Sequence, residues 1–133
     1  MNGQATGITV LIAEDKLLLR KSLAAIIDSA PDLRVIGEAE TGQEAISTAR
    51  ELVPDVILMD IRMPGLNGID ATAAITADPA LASTRVLVLT MFELDEYIDA
   101  ALRAGAQGFL LKDAAPDVLL DCIRRVRREE RIY

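Results

Sequence analysis

The stretch DVILMDIRMPGLNGID, residues 55–70, contains the pattern that decides the fold. Its apolar run at residues 56–59 is typical of a buried strand, and the run ends on a carboxylate, Asp60. A Pro64-Gly65 break follows within a few residues. Burying a carboxylate without partners costs several kcal/mol. Asp60 is therefore either held by a positive group or placed at an exposed strand tip where chemistry takes place.

Other short apolar runs alternate with helical patterns along the chain. The runs are ITVLIA (8–13), RVIGEA (34–39), RVLVLT (85–90) and QGFLL (107–111). Several are apolar nearly throughout, which is typical of strands covered on both faces. Helical spacing relates Leu19, Leu23, Ile26 and Ile27, then Ala45, Ile46 and Ala49, and finally Leu119, Cys122, Ile123 and Val126. The alternation predicts an α/β fold, a parallel sheet with helices on both faces.

The composition narrows the class of protein. The chain has 133 residues, a length typical of one domain. Of these residues 51% are hydrophobic but only 3% are aromatic, so we expect an aliphatic core. Residues 1–7 are small and polar and are predicted to be a disordered lead-in to a domain at 8–130. No apolar run is long enough for a membrane span and no signal peptide is evident. With the single Cys122, this predicts a cytoplasmic protein without a membrane partner.

The net charge and the lack of histidine limit the functions that this chain can have. The net charge of −7 disfavours contact with a polyanion, so we expect that this domain does not itself bind nucleic acid. The basic run at 124–129 then reads as a solvated helix end, where arginine is favoured by the helix dipole. The chain contains no His, which excludes Ser-His-Asp hydrolysis, His-ligated metals and a phosphohistidine carrier.

Polar groups stand at the carboxyl ends of the predicted strands, where open parallel sheets form their sites. Glu14 and Asp15 follow the first strand, Asp60 ends the third, Thr90 ends the fourth, and Lys112 follows the fifth. Adjacent strands lie about 4.8 Å apart, so these ends can converge on one pocket. Glu14 and Asp15 taken alone also fit a helix N-cap.

Three neighbouring carboxylates repel each other, and a divalent cation resolves the conflict. Mg²⁺ suits hard oxygen ligands and commonly keeps a substrate phosphate. With an ammonium at Lys112 and a hydroxyl at Thr90, the cluster can stabilise a transferring phosphoryl group. We therefore predict that Asp60 is an exposed nucleophile beside a cation and forms an acyl phosphate.

These motifs, in this order and spacing, resemble the receiver domain of bacterial response regulators over residues 8 to about 130. The matching pieces are AED (13–15), LMDIRMPGLNG (58–68), VLT (88–90) and GAQGFLLKD (105–113). The phrase RAGAQGFLLK (103–112) is most similar to the NarL/FixJ group, whose members usually carry a C-terminal LuxR-type helix-turn-helix. The resemblance implies a flavodoxin-like (βα)5 fold with strand order 2-1-3-4-5.

The resemblance also implies the metal ligands and the phosphate donor. Asp60 would accept the phosphoryl group from a sensor histidine kinase. Asp15 would bind Mg²⁺ directly, Glu14 would bind it through water, and the backbone carbonyl of Arg62 would complete the protein ligands. The domain would not be an enzyme in its own right, although it would promote its own phosphorylation and dephosphorylation at Asp60.

Further residues acquire switch roles from the same resemblance. Lys112 would pair with the phosphoryl group, Thr90 would move in to bond it, and Phe109 would follow by changing rotamer. Residues that would flank the phosphate entry are Arg62, Met91 and Phe92. We hypothesise that Phe92 hinders an attacking water, which an unchanged dephosphorylation half-life in Phe92→Ala would disprove.

Phosphorylation would bias the face made of helix four, strand five and helix five. The expected output is a homodimer, with Leu17, Leu18 and the last helix as one candidate surface. Dimerisation would control transcription through a DNA-binding helix-turn-helix domain after Tyr133, which is absent from this chain.

The sequence departs from the receiver pattern at three positions. Glu14 stands where Asp is commoner, Phe109 replaces the usual Tyr, and Asp113 follows Lys112 where Pro is frequent. Glu14 should only lengthen a contact made through water, and Phe109 has no hydroxyl to form a bond outside the core. Asp113 makes a cis peptide after Lys112 less favourable, because a cis bond before a residue other than Pro costs roughly 3 kcal/mol.

Three alternatives remain open. A haloacid-dehalogenase-like phosphatase normally needs an acid two residues after its nucleophile, where this chain has Arg62. A flavodoxin-like FMN carrier needs a phosphate-binding loop after the first strand, where Glu14 and Asp15 would repel phosphate. A degenerate receiver that serves only as a dimerisation module is disfavoured by the intact set of Asp60, Thr90 and Lys112.

Overall fold

The strands predicted from the sequence form one parallel sheet in a computed structural model, which describes residues 7–91 and 95–128, without the side chains of 95–97. The strands are β1 (Ile8–Ala13), β2 (Leu33–Ala39), β3 (Val56–Asp60), β4 (Arg85–Thr90) and β5 (Gly108–Leu111). The helices are α1 (Leu17–Asp28), α2 (Gly42–Leu52), α3 (Gly68–Thr76), α4 (Asp95–Arg103) and α5 (Pro116–Arg127), with a 3₁₀ turn at Pro79–Leu81. The predicted lead-in therefore lies almost wholly outside the described residues, as does Phe92.

The strand order is β2-β1-β3-β4-β5, as the resemblance implied. All four pairings are parallel, so the carboxyl ends of the strands lie at one edge. In this register Ala13 pairs with Met59 and Asp60 pairs with Leu89. The residues that follow β1 and β3 are thus brought to the same edge, beside the end of β4.

Alternate strand residues point into two separate cores, one on each face of the sheet. Leu11 and Ile57 belong to the core under α2, α3 and α4, whereas Val10 and Leu58 belong to the core under α1 and α5. Because both faces are covered, the strands are apolar almost throughout. The predicted helix faces are confirmed by the burial of Leu23, Ile27, Ala45, Ala49, Leu119, Cys122, Ile123 and Val126.

Helix α3 begins very close to the end of β3, at the carboxyl ends of the strands. A Cβ added to Gly68 would lie 1.9 Å from the backbone oxygen of Asp60. Only glycine allows this approach, and the Gly68 N–H uses it to donate to the Ile61 carbonyl at 2.8 Å. Asn67 caps the same helix, because its side chain accepts a hydrogen bond from the Asp70 N–H.

Arginines at the basic end of α5 contact aspartates in the loops that precede β2 and β3, at the amino ends of the strands. Arg124 makes a two-bond contact with Asp32, through Nε at 2.7 Å and Nη2 at 2.8 Å. Arg127 Nε lies 3.3 Å from Asp55 Oδ1. These pairs lie at the surface, since the Arg124 and Arg127 side chains are 34% and 47% exposed, so they agree with the interpretation of this run as a solvated helix end.

Candidate active site

Asp60 is buried, which corrects the prediction of an exposed nucleophile. Its side chain is 3% exposed at the end of β3, and its Oδ1 lies 2.8 Å from Lys112 Nζ. The carboxylate is tolerated there because an ammonium group compensates for the water that it loses. Of the two possibilities that the sequence raised, the structure therefore supports a carboxylate held by a positive group.

Lys112 lies just beyond β5 and bridges two carboxylates. Its Nζ lies 2.8 Å from Asp60 Oδ1 and 2.9 Å from Glu14 Oε1, and its backbone N–H donates to the Thr90 carbonyl at 2.8 Å. Burial by itself lowers the pKa of Lys112, but the contacts with Asp60 and Glu14 outweigh it and leave the pKa raised. The ammonium form is thus the stable one at this position.

Glu14 is even more deeply buried, with 1% of the residue exposed. Its Oε2 accepts a hydrogen bond from the Lys16 N–H at 3.0 Å, and its Oε1 faces Lys112. Burial is the main reason that the pKa of Glu14 is raised, and the nearby Asp60 charge adds to it, although the Lys16 and Lys112 contacts oppose it. The contacts with Lys16 and Lys112 therefore do not offset the effect of burial on the pKa of this carboxyl group.

Glu14, Asp15 and Asp60 form the one acidic cluster with metal-ligand geometry among the described residues. Each offers a carboxylate oxygen within 4.8 Å of the others. Two of their oxygens are buried and accept no hydrogen bond, Asp15 Oδ1 and Asp60 Oδ2. Glu14 Oε1 is also buried but has the Lys112 ammonium at 2.9 Å, whereas Asp15 Oδ1 has the exposed Lys16 ammonium at 4.0 Å.

This donor set fits a hard divalent cation. Buried carboxylate oxygens without donors are an expensive arrangement unless a cation completes them. Glu14, Asp15 and Asp60 together carry more negative charge than the single buried ammonium of Lys112 neutralises. The cluster that the sequence predicted is therefore assembled, and its chemistry matches that of a Mg²⁺ site.

A cleft of about 350 Å³ leads from the surface to this cluster. It is lined by Lys16, Leu19, Asp60, Arg62, Thr90, Met91 and Lys112. The cleft brings together the predicted acceptor, the predicted hydroxyl and two of the three predicted entry residues. Phe92, the third, lies outside the described residues. The role of the Arg62 carbonyl as a ligand stays a prediction.

Phe109 does not line this cleft. It lies in β5 opposite Val88 and is 8% exposed, within the core on the α2, α3 and α4 face. Its proposed change of rotamer stays a prediction.

Residues of the loop after β1 and the start of α1 complete the surroundings of the acids, and the sequence analysis did not predict them to be site residues. Lys16 and Leu19 line the cleft, and the Arg20 guanidinium contacts the Glu14 carbonyl at 2.9 Å. One signal was present: Arg20 shares its helical face with Leu23 and Ile27, which is an unusual place for a charge.

Comparison with known proteins finds a family match over most of the chain. Residues 10–124 match the family described as the response regulator receiver domain. A curated relative from Bacillus subtilis, the uncharacterized transcriptional regulatory protein YxjL, is 42% identical over 126 residues, which are 95% of this chain and 57% of that protein. This chain spans somewhat more than half the length of the curated relatives that it matches.

Solved structures show the same fold. A LuxR-family two-component response regulator from Aurantimonas sp. SI85-9A1 superposes with a TM-score of 0.89 at 28% identity, covering 96% of this chain and 89% of that one. The receiver domain of the response regulator NarL from Mycobacterium tuberculosis gives 0.87 at 30% identity, covering 92% and 97% respectively.

Proposed function

The chain belongs to the response regulator receiver domain family, within its NarL and LuxR-type group, and from this premise we propose that it is a signalling switch that is phosphorylated on Asp60. The observation that carries the proposal is the ion pair between Lys112 Nζ and Asp60 Oδ1, two residues that line an open cleft. A purely structural carboxylate has no need of a cleft that leads to it.

The proposed donor is a phosphohistidine of a sensor histidine kinase, the partner class of NarL-type regulators. The bond between phosphorus and the imidazole nitrogen breaks while a bond between phosphorus and a carboxylate oxygen of Asp60 forms. The departing nitrogen keeps the electron pair of the broken bond. Lys112 neutralises charge on the transferring group, and the Thr90 hydroxyl donates to one of its oxygens.

Glu14, Asp15, Asp60 and the Arg62 carbonyl are the groups that we propose hold Mg²⁺. When bound, the ion offsets the negative charge of the acids and of the phosphoryl oxygens. The raised pKa of Glu14 and the unbonded oxygens of the cluster support this assignment.

The proposed output is dimerisation through α1 and α5, which share one face of the sheet. Leu17 is 56% exposed and Leu18 is 84% exposed at the start of α1, and Val118 is exposed on α5. A monomeric mass at every concentration, with and without phosphorylation, would contradict this output. Leu18→Ser should weaken the dimer, whereas Leu52→Ser on the distant α2 should not.

We propose that transcriptional control requires a DNA-binding domain outside this chain. The acidic character of this chain, with a net charge of −7, disfavours direct binding to DNA. The relatives of greater length are named as transcriptional regulators, which supports the same division of labour. Among the helices of the described residues, none has both the length and the hydrophobicity to cross a membrane.

The test is intact mass after incubation with acetyl phosphate and Mg²⁺, in the wild type and in Asp60→Asn. We expect the wild type alone to gain the mass of one phosphoryl group. A folded wild type that gains nothing would favour the degenerate receiver, a module that only dimerises. A gain in Asp60→Asn as well would place the acceptor elsewhere.

A further inference from the structure

Arg20 is a buried arginine on the inner face of α1. The residue is 6% exposed, although a guanidinium is costly to remove from water unless its donors are satisfied. It occupies the same helical face as Leu23 and Ile27, where an apolar residue would be the ordinary choice. A specific set of acceptors must therefore hold it there.

The guanidinium reaches three acceptors, which come from the end of β2 and from the turn after β1. Its Nε donates to Glu38 Oε1 in β2 at 2.8 Å, and its Nη2 donates to Glu40 Oε1 just beyond β2 at 3.2 Å. Its Nη1 donates to the backbone carbonyl of Glu14 at 2.9 Å, in a buried contact. The planar fork of arginine serves several directions at once, which a lysine ammonium on a flexible stem does not reproduce.

The Glu14 contact is the one that reaches the candidate active site. Glu14 and Asp15 follow β1 directly, and their side chains supply two of the three carboxylates in the cluster. The Glu14 N–H is bound by the Ala39 carbonyl at 2.9 Å, and the carbonyl of the same residue is bound by Arg20. The following N-cap, Lys16, makes no side-chain cap bond. Arg20 is thus the side chain that holds the carbonyl side of this turn.

We propose that Arg20 is a positioning residue for the metal-binding acids, an inference that rests on the proposed function. It fixes the turn after β1 so that Glu14 and Asp15 present their oxygens beside Asp60 before any ion arrives. Removal of a group that orients a metal ligand through a hydrogen bond typically weakens metal affinity by 10- to 100-fold.

Stability alone does not call for an arginine here. Removing one partner of a buried ion pair is costly chiefly when the other charge stays buried without compensation. The Glu38 side chain is 27% exposed and that of Glu40 is 60% exposed, so both carboxylates regain water if Arg20 is removed. Arg20→Met should therefore fold. It should still lose the hydrogen bond to the Glu14 carbonyl that fixes the turn after β1.

The experiment measures Mg²⁺ binding directly by isothermal titration calorimetry, without phosphorylation. We expect the Kd of Arg20→Met to rise about tenfold relative to the wild type. Arg20→Lys should fall short of wild-type affinity, because a single ammonium nitrogen does not span the acceptors that Nε, Nη1 and Nη2 of Arg20 reach in three directions. The matched control is Lys21→Ala, which removes the other ion pair to Glu38, at 3.0 Å, without contacting Glu14. It should bind Mg²⁺ like the wild type.

A second readout separates positioning from general damage. Phosphorylation of Arg20→Met by acetyl phosphate should need about tenfold more Mg²⁺ for its half-maximal rate, yet reach the wild-type level at saturating Mg²⁺. A variant that was merely unfolded in part would lose the final level instead.

Each outcome has one meaning. Equal Mg²⁺ affinity in the wild type and in folded Arg20→Met overturns the inference and leaves the proposed function intact. If Arg20→Met does not fold, Arg20→Lys decides, and wild-type affinity in that variant also overturns the inference. A wild type that binds no Mg²⁺ overturns the metal-dependent function and the inference together.

Discussion

Lys112 Nζ lies 2.8 Å from Asp60 Oδ1, and both side chains are almost completely buried. The same ammonium lies 2.9 Å from Glu14 Oε1, and Asp15 belongs to the same cluster. One buried ammonium therefore serves a cluster of three carboxylates and contacts two of them. This imbalance accounts for the fit of the site to a divalent cation, whereas the pKa of Glu14 is raised chiefly by burial.

We expect Lys112→Met to destabilise the metal-free protein strongly. Removing one partner of a buried ion pair typically costs about 3–5 kcal/mol, because the remaining charge is left uncompensated. Mg²⁺ should recover much of this loss by neutralising the same carboxylates. Urea unfolding in EDTA and in MgCl₂ measures both effects.

Lys21→Met is the matched control for that experiment, because Lys21 is exposed and pairs only with Glu38 among its recorded contacts. It should change the free energy of unfolding by less than about 1 kcal/mol. A similar small change in Lys112→Met would show that the ammonium does not compensate the cluster.

Asp60→Asn should stabilise the metal-free protein, because it removes one of the repelling charges while retaining the shape of the side chain. We expect a higher midpoint of thermal unfolding than for the wild type in EDTA. In excess Mg²⁺ the order should reverse, since the wild type gains more from the ion: at 100 times the Kd, binding contributes about 2.7 kcal/mol. A lower midpoint for Asp60→Asn in EDTA would contradict the charge imbalance.

The pH dependence of stability should carry the signature of Glu14. Its pKa is raised above the ordinary 4.5, chiefly by burial, so the folded state keeps this proton to a higher pH than the unfolded state does. Between the two pKa values the folded state binds more protons, so stability falls as the pH rises through that window. We expect this decline above pH 4.5 in EDTA, and its removal in Glu14→Gln.

Other carboxylates act in the opposite direction at lower pH. The pKa of Asp32 is lowered by its hydrogen bonds with Arg124, so its contribution is present above the ordinary 3.8 and is lost as the pH falls through the lowered value. Its acid-range effect can therefore be separated from that of Glu14 by unfolding curves at closely spaced pH values. A Glu14→Gln protein that keeps the full decline above pH 4.5 would contradict the assignment.

Gly68→Ala should distort the backbone at Asp60, where β3 ends in the candidate active site. The added Cβ would lie 1.9 Å from the Asp60 carbonyl oxygen, and backbone atoms must move to relieve the contact. We expect a loss of about 3 kcal/mol in the free energy of unfolding and slower phosphorylation of Asp60. The control is Gly37→Ala, whose Cβ would meet the Leu52 Cδ1 at 2.9 Å, the end of a side chain that can turn away. An equal loss in both variants would refute the backbone explanation.

Val53→Gly should stabilise the protein. Val53 ends α2 with φ of 46°, in the left-handed region that a β-branched residue rarely adopts. It is 44% exposed, so little packing is lost with the side chain. We expect a gain of about 0.5–1 kcal/mol in urea unfolding, after the greater backbone entropy of glycine is taken into account. A lower urea midpoint would contradict the strain.

Local pattern was sufficient for much of the fold and for the members of the site. Apolar runs and helical spacing report which face of an element is buried, because periodicity along the chain follows directly from the geometry of strands and helices. The convergence of Asp15, Asp60 and Lys112 followed from parallel strands, since their carboxyl ends share one edge. The short α3 was not singled out, because its residues are mostly apolar on several sides and lack a clear period.

Long-range contacts determined what the sequence left open. Asp60 is buried rather than exposed because Lys112, which is distant in sequence, folds against it. At the surface, Arg124 pairs with Asp32, 92 residues away, a partner that no local pattern identifies. Arg20 reaches the Glu14 carbonyl only because α1 packs over the turn after β1. Residue types and spacing therefore determined the elements and the chemistry of the acids, whereas the partner of each buried charge was decided by tertiary packing, since burial makes a charge depend on whatever group the fold places beside it.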